Sequence, residues 1–253
     1  MTKVTDQIGR QVEVNSVRRV VSLVPSITEL LIDMGVNVVG RTKFCIHPSN
    51  DIDDVKIIGG TKKFRYDEIE KQEPDLIVGN KEENDRVGIE KLETKYPVWI
   101  SDISSVEDAL QLVTMLGSVL NKEENSEGIV AQLKKAYEAL AGKERGTIMY
   151  FIWKNPWMTA GQGTYIDTML RWCGYENVIK DDRYPTLNLS NWTLENEPPE
   201  QIFLSSEPFP FSEKHIDEVR SLFPKTKIKL VNGEFYSWYG TRLLKLGDDR
   251  FIE

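Results

Sequence analysis

The chain is 253 residues long, with 40% hydrophobic and 28% charged residues. This is an ordinary globular balance that excludes a largely disordered chain, and the length fits two lobes of about 100–120 residues each. Asp and Glu number 40 against 32 Lys and Arg, a net charge of −8 with no basic stripe, which argues against a nucleic-acid partner.

The N-terminus, Met1 to Gln7, has neither an apolar core nor a small-residue cleavage site, and no stretch approaches the ~18 apolar residues of a membrane span. As written, the chain reads as cytoplasmic; a trimmed leader would make it periplasmic or cell-surface. Cys45 and Cys173 lie far apart and read as free thiols.

Val20 to Val24 is a short apolar run, read as a buried parallel strand. A helix is expected from Ser26, whose spacing to Glu29 suits a capping box. Ile27, Leu30, Leu31 and Met34 form its apolar face, and Gly35 its stop. Short strands follow at Val38–Gly40, Lys56–Ile58, Asp75–Gly79 and Val98–Ile100. Helices are expected at Tyr66–Gln72 and Asp85–Thr94, and from Ser104, with capping-box spacing to Glu107, to about Leu120. Such alternation means a parallel sheet covered on both faces.

Glu123 to Lys143 carries no strand signal. Ile129, Leu133, Ala136, Tyr137 and Leu140 recur at helical spacing, predicting one helix of about 20 residues and about 30 Å, long enough to join two lobes. The alternation then restarts: a strand at Thr147–Trp153, a helix from Thr164 to Cys173 ended by Gly174, a strand at Gln201–Ser205, a helix at His215–Leu222, a strand at Lys227–Val231, and a last helical turn or two at Gly240–Leu246. The expected organisation is an N-terminal lobe of residues 1–121, a linking helix of 122–143 and a C-terminal lobe of 144–253. Pro74-Asp-Leu-Ile-Val and Pro199-Glu-Gln-Ile-Phe echo one another, as two similar lobes would.

The segments after the strands are rich in aromatic and polar residues. They hold Pro25 and Ser26, Phe44-Cys-Ile-His47, Phe64, Asn80 with Glu83, Trp153 and Trp157, Tyr184, Glu207, and Trp238, Tyr239 and Arg242. Ligands of open α/β sheets bind beyond the carboxyl ends of the strands, and such residues suit a small-molecule site. Cys45 and His47 fall on one side of an extended loop and form a candidate metal pair, although structural zinc wants four ligands. The same pair, with Glu83, would be the working groups if the cleft were an enzyme's, but no third group orients them. His215 reads as solvated on a charged helix. Gly161-Gln-Gly163 lacks the third glycine of a dinucleotide fingerprint and reads as a turn feeding a helix capped by Thr164.

Asp6-Gln-Ile-Gly-Arg, Arg19-Val-Val-Ser-Leu-Val-Pro-Ser-Ile-Thr-Glu-Leu-Leu, Ile58-Gly-Gly, Pro74-Asp-Leu-Ile-Val and Gly174-Tyr-Glu-Asn-Val together resemble the substrate-binding proteins of metal-chelate ABC importers, the cobalamin- and siderophore-type receptors with a helical backbone. The resemblance implies an α/β fold of two Rossmann-like lobes with mostly parallel sheets, joined by one rigid helix. It also implies a monomer that is no enzyme, needs no cofactor, and holds a cobalamin-like or siderophore-like chelate in the inter-lobe cleft for an ABC importer. Carried over by position, ligand contacts fall on Pro25, Ser26, Phe44 or Cys45, Phe64, Asn80, Trp153, Trp157, Tyr184 and Trp238. Members that dock a permease carry an acid on each lobe, seven positions before the proline of the Pro-acid strand. Asp67, with Glu68 beside it, fills that place in the first lobe; in the second it falls on Trp192 or Ser190. A cytosolic sensor or carrier without a permease is the alternative.

Overall fold

A computed structural model describes residues 2–141 and 144–246. The chain divides into two compact units. Unit 1 takes the residues through Asp102, Glu107–Lys134 and Tyr239–Arg242; unit 2 takes Ile103–Val106, Lys135–Trp238 and the chain from Leu243. This differs from the contiguous division in three respects: Ile103–Val106 belongs to unit 2, the long helix is shared, and Tyr239–Arg242 belongs to unit 1. The expected helix end at Gly142 and Lys143, and residues 247–253 of the expected second lobe, lie outside the described residues.

Unit 1 opens with a hairpin that the sequence pattern did not announce, β1 (Thr2–Thr5) against β2 (Gln11–Val14). Its turn is organised by buried Asp6, whose carboxylate accepts the amides of Ile8 and Arg10 and the Arg10 Nε. The main sheet is parallel and runs β5 (Lys56–Ile57), β4 (Val38–Arg41), β3 (Val20–Ser22), β6 (Leu76–Asn80), β7 (Val98–Ser101). The winding starts at β3, moves outward to β5, and reverses to β6 and β7. That reversal makes the β3/β6 border the switch point. Val21, Leu23, Ile77 and Ile100 pack with Ile69 of α2 (Tyr66–Lys71) and Ile89 and Leu92 of α3 (Arg86–Glu93).

Helix α1 (Pro25–Asp33) starts one residue earlier than expected, and there is no Ser26–Glu29 capping box. Pro25 is the reason: its fixed φ and missing N–H suit the first helical position. Glu29 is wholly buried and turns to Arg242, whose Nε and Nη2 donate to its two oxygens at 2.8 and 2.7 Å. Gly35, at φ +70°, ends α1 as expected: its N–H bonds Ile32 O and the N–H of Val36 bonds Leu31 O, a left-handed cap that favours glycine. Helix α4 (Val106–Val119) follows β7, and α5 (Glu123–Leu140) is the expected long helix.

In unit 2 the sheet runs β11 (Thr186–Leu187), β9 (Trp157–Thr159), β8 (Thr147–Trp153), β12 (Gln201–Ser205), β13 (Lys227–Val231). The short β10 (Glu176–Asn177) pairs with the start of β8. β8, β10, β12 and β13 are parallel; β9 and β11 add antiparallel pairings. α6 (Tyr165–Trp172) is capped by Thr164 as expected, its Oγ1 accepting the Asp167 amide at 3.1 Å. α7 (Leu189–Glu195) was not expected, because two turns of Ser, Asn and Thr carry little helical period. α8 (Glu213–Leu222) was expected; α9 (Gly233–Ser237) replaces part of the expected aromatic loop, and α10 (Arg242–Leu246) follows. No helix among the described residues is long and apolar enough to cross a membrane.

The Glu29–Arg242 pair generates a stability prediction. Removing one partner strands a buried charge, so Arg242→Ala should cost about 3–5 kcal/mol in urea unfolding. Arg242→Lys loses the two-pronged geometry and should recover only part of that. An Arg242→Ala protein as stable as the parent would show that Glu29 is solvated and the pair unimportant.

Candidate ligand-binding site

The carboxyl edge of the unit 1 sheet is built from four loops, and three polar side chains fix them. Arg41, the buried last residue of β4, donates to Cys45 O at 2.8 Å and Ile52 O at 3.0 Å, which shapes the loop bearing Phe44, Ile46 and His47. Asn80, buried at the end of β6, accepts the amides of Glu82 and Glu83 and donates to Ser101 Oγ at 3.0 Å. Asn84 joins the loops: its Oδ1 accepts the Asn80 amide at 2.7 Å, while its Nδ2 donates to Leu23 O and Thr61 O at 3.1 and 3.0 Å. The loops after β3, β5 and β6 are therefore tied at the switch point. Arg41 was not singled out from sequence, because it looks like an ordinary surface polar residue until the fold buries it.

This scaffold sorts the expected contacts. Pro25 and Ser26 are buried in the first turn of α1, and Phe64 is buried in the core against Tyr66. The Asn80 side chain is committed to its own loop and to Ser101 of β7. Phe44 is half-exposed at 50%, while His47 and Glu83 are partly exposed and each interacts with a neighbour. Cys45 and His47 differ in exposure: Cys45 is buried and His47 is partly exposed. The Cys45 Sγ is buried, 3.1 Å from the hydroxyls of both Thr28 and Thr42. Burial pushes its thiol pKa up, opposed by those hydrogen bonds, so it stays protonated and is a poor metal ligand or nucleophile. No group of three or more His, Cys, Asp or Glu gathers as a metal site among the described residues.

At the carboxyl edge of unit 2, Trp153 ends β8 and remains 39% exposed. It meets Phe209 edge-on at 5.6 Å; Phe209 contacts Phe211 at 4.8 Å, and Phe211 stacks on partly buried Trp157 at 6.0 Å and 11°. Lys154 lies 5.4 Å over Trp157 and is paired with Glu218. His215, expected to be solvated, is instead buried behind this row, edge-on to Phe209 and Phe211 at 5.4 Å each. Its Nδ1 accepts the Ser212 amide at 2.9 Å, because it stands at the third position of α8. Tyr184 is partly buried. Glu207 accepts Ser237 Oγ and Trp238 Nε1, both at 2.8 Å, fastening α9 to the loop after β12. Trp238, Tyr239 and Arg242 are buried; Arg242 serves Glu29.

The match of the chain to the periplasmic binding protein family covers residues 20–226. The chain belongs to that family. A vitamin B12-binding protein of Salmonella choleraesuis is 26% identical over 193 residues, 74% of this chain and 72% of that one. The fold is similar to that of the periplasmic vitamin B12-binding protein BtuF of Vibrio cholerae, with TM-score 0.76, 17% identity, and coverage of 91% and 93% of the two chains. A periplasmic heme-binding protein of Pseudomonas aeruginosa superposes with TM-score 0.76 at 15% identity, over 90% of this chain and 88% of that one. The two-unit α/β architecture with largely parallel sheets is thus the architecture of this periplasmic binding protein family.

The family's two expected docking places differ here. On α2, Asp67 is exposed, whereas Glu68 is paired with Lys56 and Lys71. On α7, which occupies the equivalent place before Pro199 and β12, the second residue is exposed Ser190.

His215 yields a pH prediction. Burial, with Lys154 and Lys214 nearby, lowers its pKa below the ordinary value of 6.5. Between the lowered folded value and the ordinary unfolded one, the unfolded chain binds more protons, so this contribution to stability falls as pH falls. The urea midpoint of the parent should drop more steeply below about pH 6.5 than that of His215→Asn. Parallel pH profiles would contradict a buried neutral imidazole.

Proposed function

We propose that this protein captures a planar metal chelate of the cobalamin or heme class on its carboxyl-edge loops, performs no chemistry on it, and delivers it to an ABC importer. The observation that carries the reading is the aromatic row Trp153–Phe209–Phe211–Trp157. An exposed indole at the end of a β-strand, braced edge-on by a row of partly buried and buried rings, offers a broad rigid face at little entropic cost. Family membership and the vitamin B12- and heme-binding relatives support it. Asp67, exposed and without an ion-pair partner among the described residues, supports a permease contact, since a rim charge orients a partner. A carrier without a permease is the second reading. Ser190 on α7, where a second acid would stand, favours it.

Tryptophan fluorescence titrated with cyanocobalamin and with hemin, corrected for ligand absorbance, tests the binding. At least one should quench saturably, and Trp153→Ala should weaken that ligand about tenfold, the worth of one aromatic contact. Linear, unsaturable quenching by both would reject the tetrapyrrole reading.

The permease is tested separately. Asp67→Lys should lower cellular uptake of labelled ligand while leaving the affinity of the purified protein intact. Unchanged uptake would assign the carrier role.

A further inference from the structure

In a chain of net charge −8, two adjacent loops of unit 1 stand out. Residues 42–47 and 59–65 contain Lys43, Lys62, Lys63 and Arg65 and no Asp or Glu. The loops are bound side by side: the Lys43 amide donates to Gly59 O at 2.8 Å, and the Gly60 amide to Lys63 O at 2.9 Å. Gly59, at φ +123°, permits this turn, since a Cβ there would lie 2.5 Å from Lys63 O. The half-exposed Phe44 ring lies against Gly60, and Lys43 Nζ sits 4.9 Å from its centroid.

Two of the four cations are occupied by backbone. Lys62 Nζ donates to Glu82 O at 2.6 Å on the next loop, and Arg65 donates to Ile57 O. Lys43 and Lys63 are exposed and have no carboxylate partner among the described residues. Glu82 and Glu83 stand on the loop where Lys62 is bound. An exposed aromatic ring with one ammonium group over it and a second exposed lysine on the adjoining loop is complementary to a flat apolar body carrying anionic groups.

Resting on the proposed function, we propose that Phe44, Lys43 and Lys63 form a subsite for the carboxylates of a planar ligand, so that the protein prefers an anionic tetrapyrrole to a neutral one. The ring takes the edge of the macrocycle, and the two ammonium groups take its carboxylates. Net charge alone points the other way; the local arrangement decides.

The probes are metal-free mesoporphyrin IX and its dimethyl ester, which share one macrocycle and differ in two carboxylates. Binding is read by tryptophan quenching of the whole chain in low-salt buffer. The free acid should bind about tenfold tighter than the ester, the sum expected for two partly exposed charge pairs. That ratio should shrink in about 0.5 M NaCl, where screening is strong. Lys43→Gln/Lys63→Gln should bring it to about threefold or less by weakening the acid and not the ester. Lys225→Gln/Lys227→Gln, an equal loss of charge in unit 2, should leave it unchanged. Equal affinity for acid and ester in the parent would overturn the subsite while leaving tetrapyrrole binding intact. An equal effect of the two double substitutions would overturn it in favour of net charge. Absence of binding by either porphyrin would overturn the subsite and leave the tetrapyrrole reading to the cyanocobalamin and hemin titrations.

Discussion

The buried pair of Glu29 and Arg242 is the constraint on which the rest of unit 1 depends. Two ions out of water are tolerable only when their geometry is good and every exposed valence is met. Here the guanidinium grips both carboxylate oxygens from two nitrogens. The partners are 213 residues apart, so the pair ties the segment Tyr239–Arg242 to the first helix of the unit. That helix in turn begins at the switch point of the sheet. A late part of the chain is therefore needed to finish a unit that the early part begins.

The two carboxyl edges divide labour in the same way. Buried polar side chains shape the loops and exposed rings face outward. Arg41, Asn80 and Asn84 are consumed by main-chain groups, which would otherwise be buried without partners. In unit 2, Glu207 and His215 do the equivalent work behind Trp153 and Trp157. Residues of the same chemical type thus separate into frame and face, and the difference lies in how many of their hydrogen-bonding groups are already used.

The strands and most helices were legible because hydrophobic period and stop signals are local: Gly35 and Gly174 end helices where glycine must, and Thr164 caps one. The first hairpin, α7 and α9 were not legible, since short polar segments carry no strong period. Ser26 and Glu29 misled because capping-box spacing is also found in helices that start at a neighbouring proline. At the site, the aromatic loops were legible as a class, and Phe44, Trp153 and Trp157 do reach the surface. Phe64, Trp238 and Arg242 do not. No sequence rule separates an aromatic that faces solvent from one that packs its loop, because the distinction rests on contacts distant in sequence. His215 failed for a different reason: its helix is charged, but the rings that bury it, Phe209 and Phe211, come from the segment just before the helix.

The two cysteines, finally, have a practical consequence. Both are sealed in the interior, and neither is bridged. The native surface is therefore silent to maleimides. A single cysteine placed on an exposed loop would be the one thiol such a reagent meets, so a fluorophore or spin label can be set beside Phe44 without first removing either native residue.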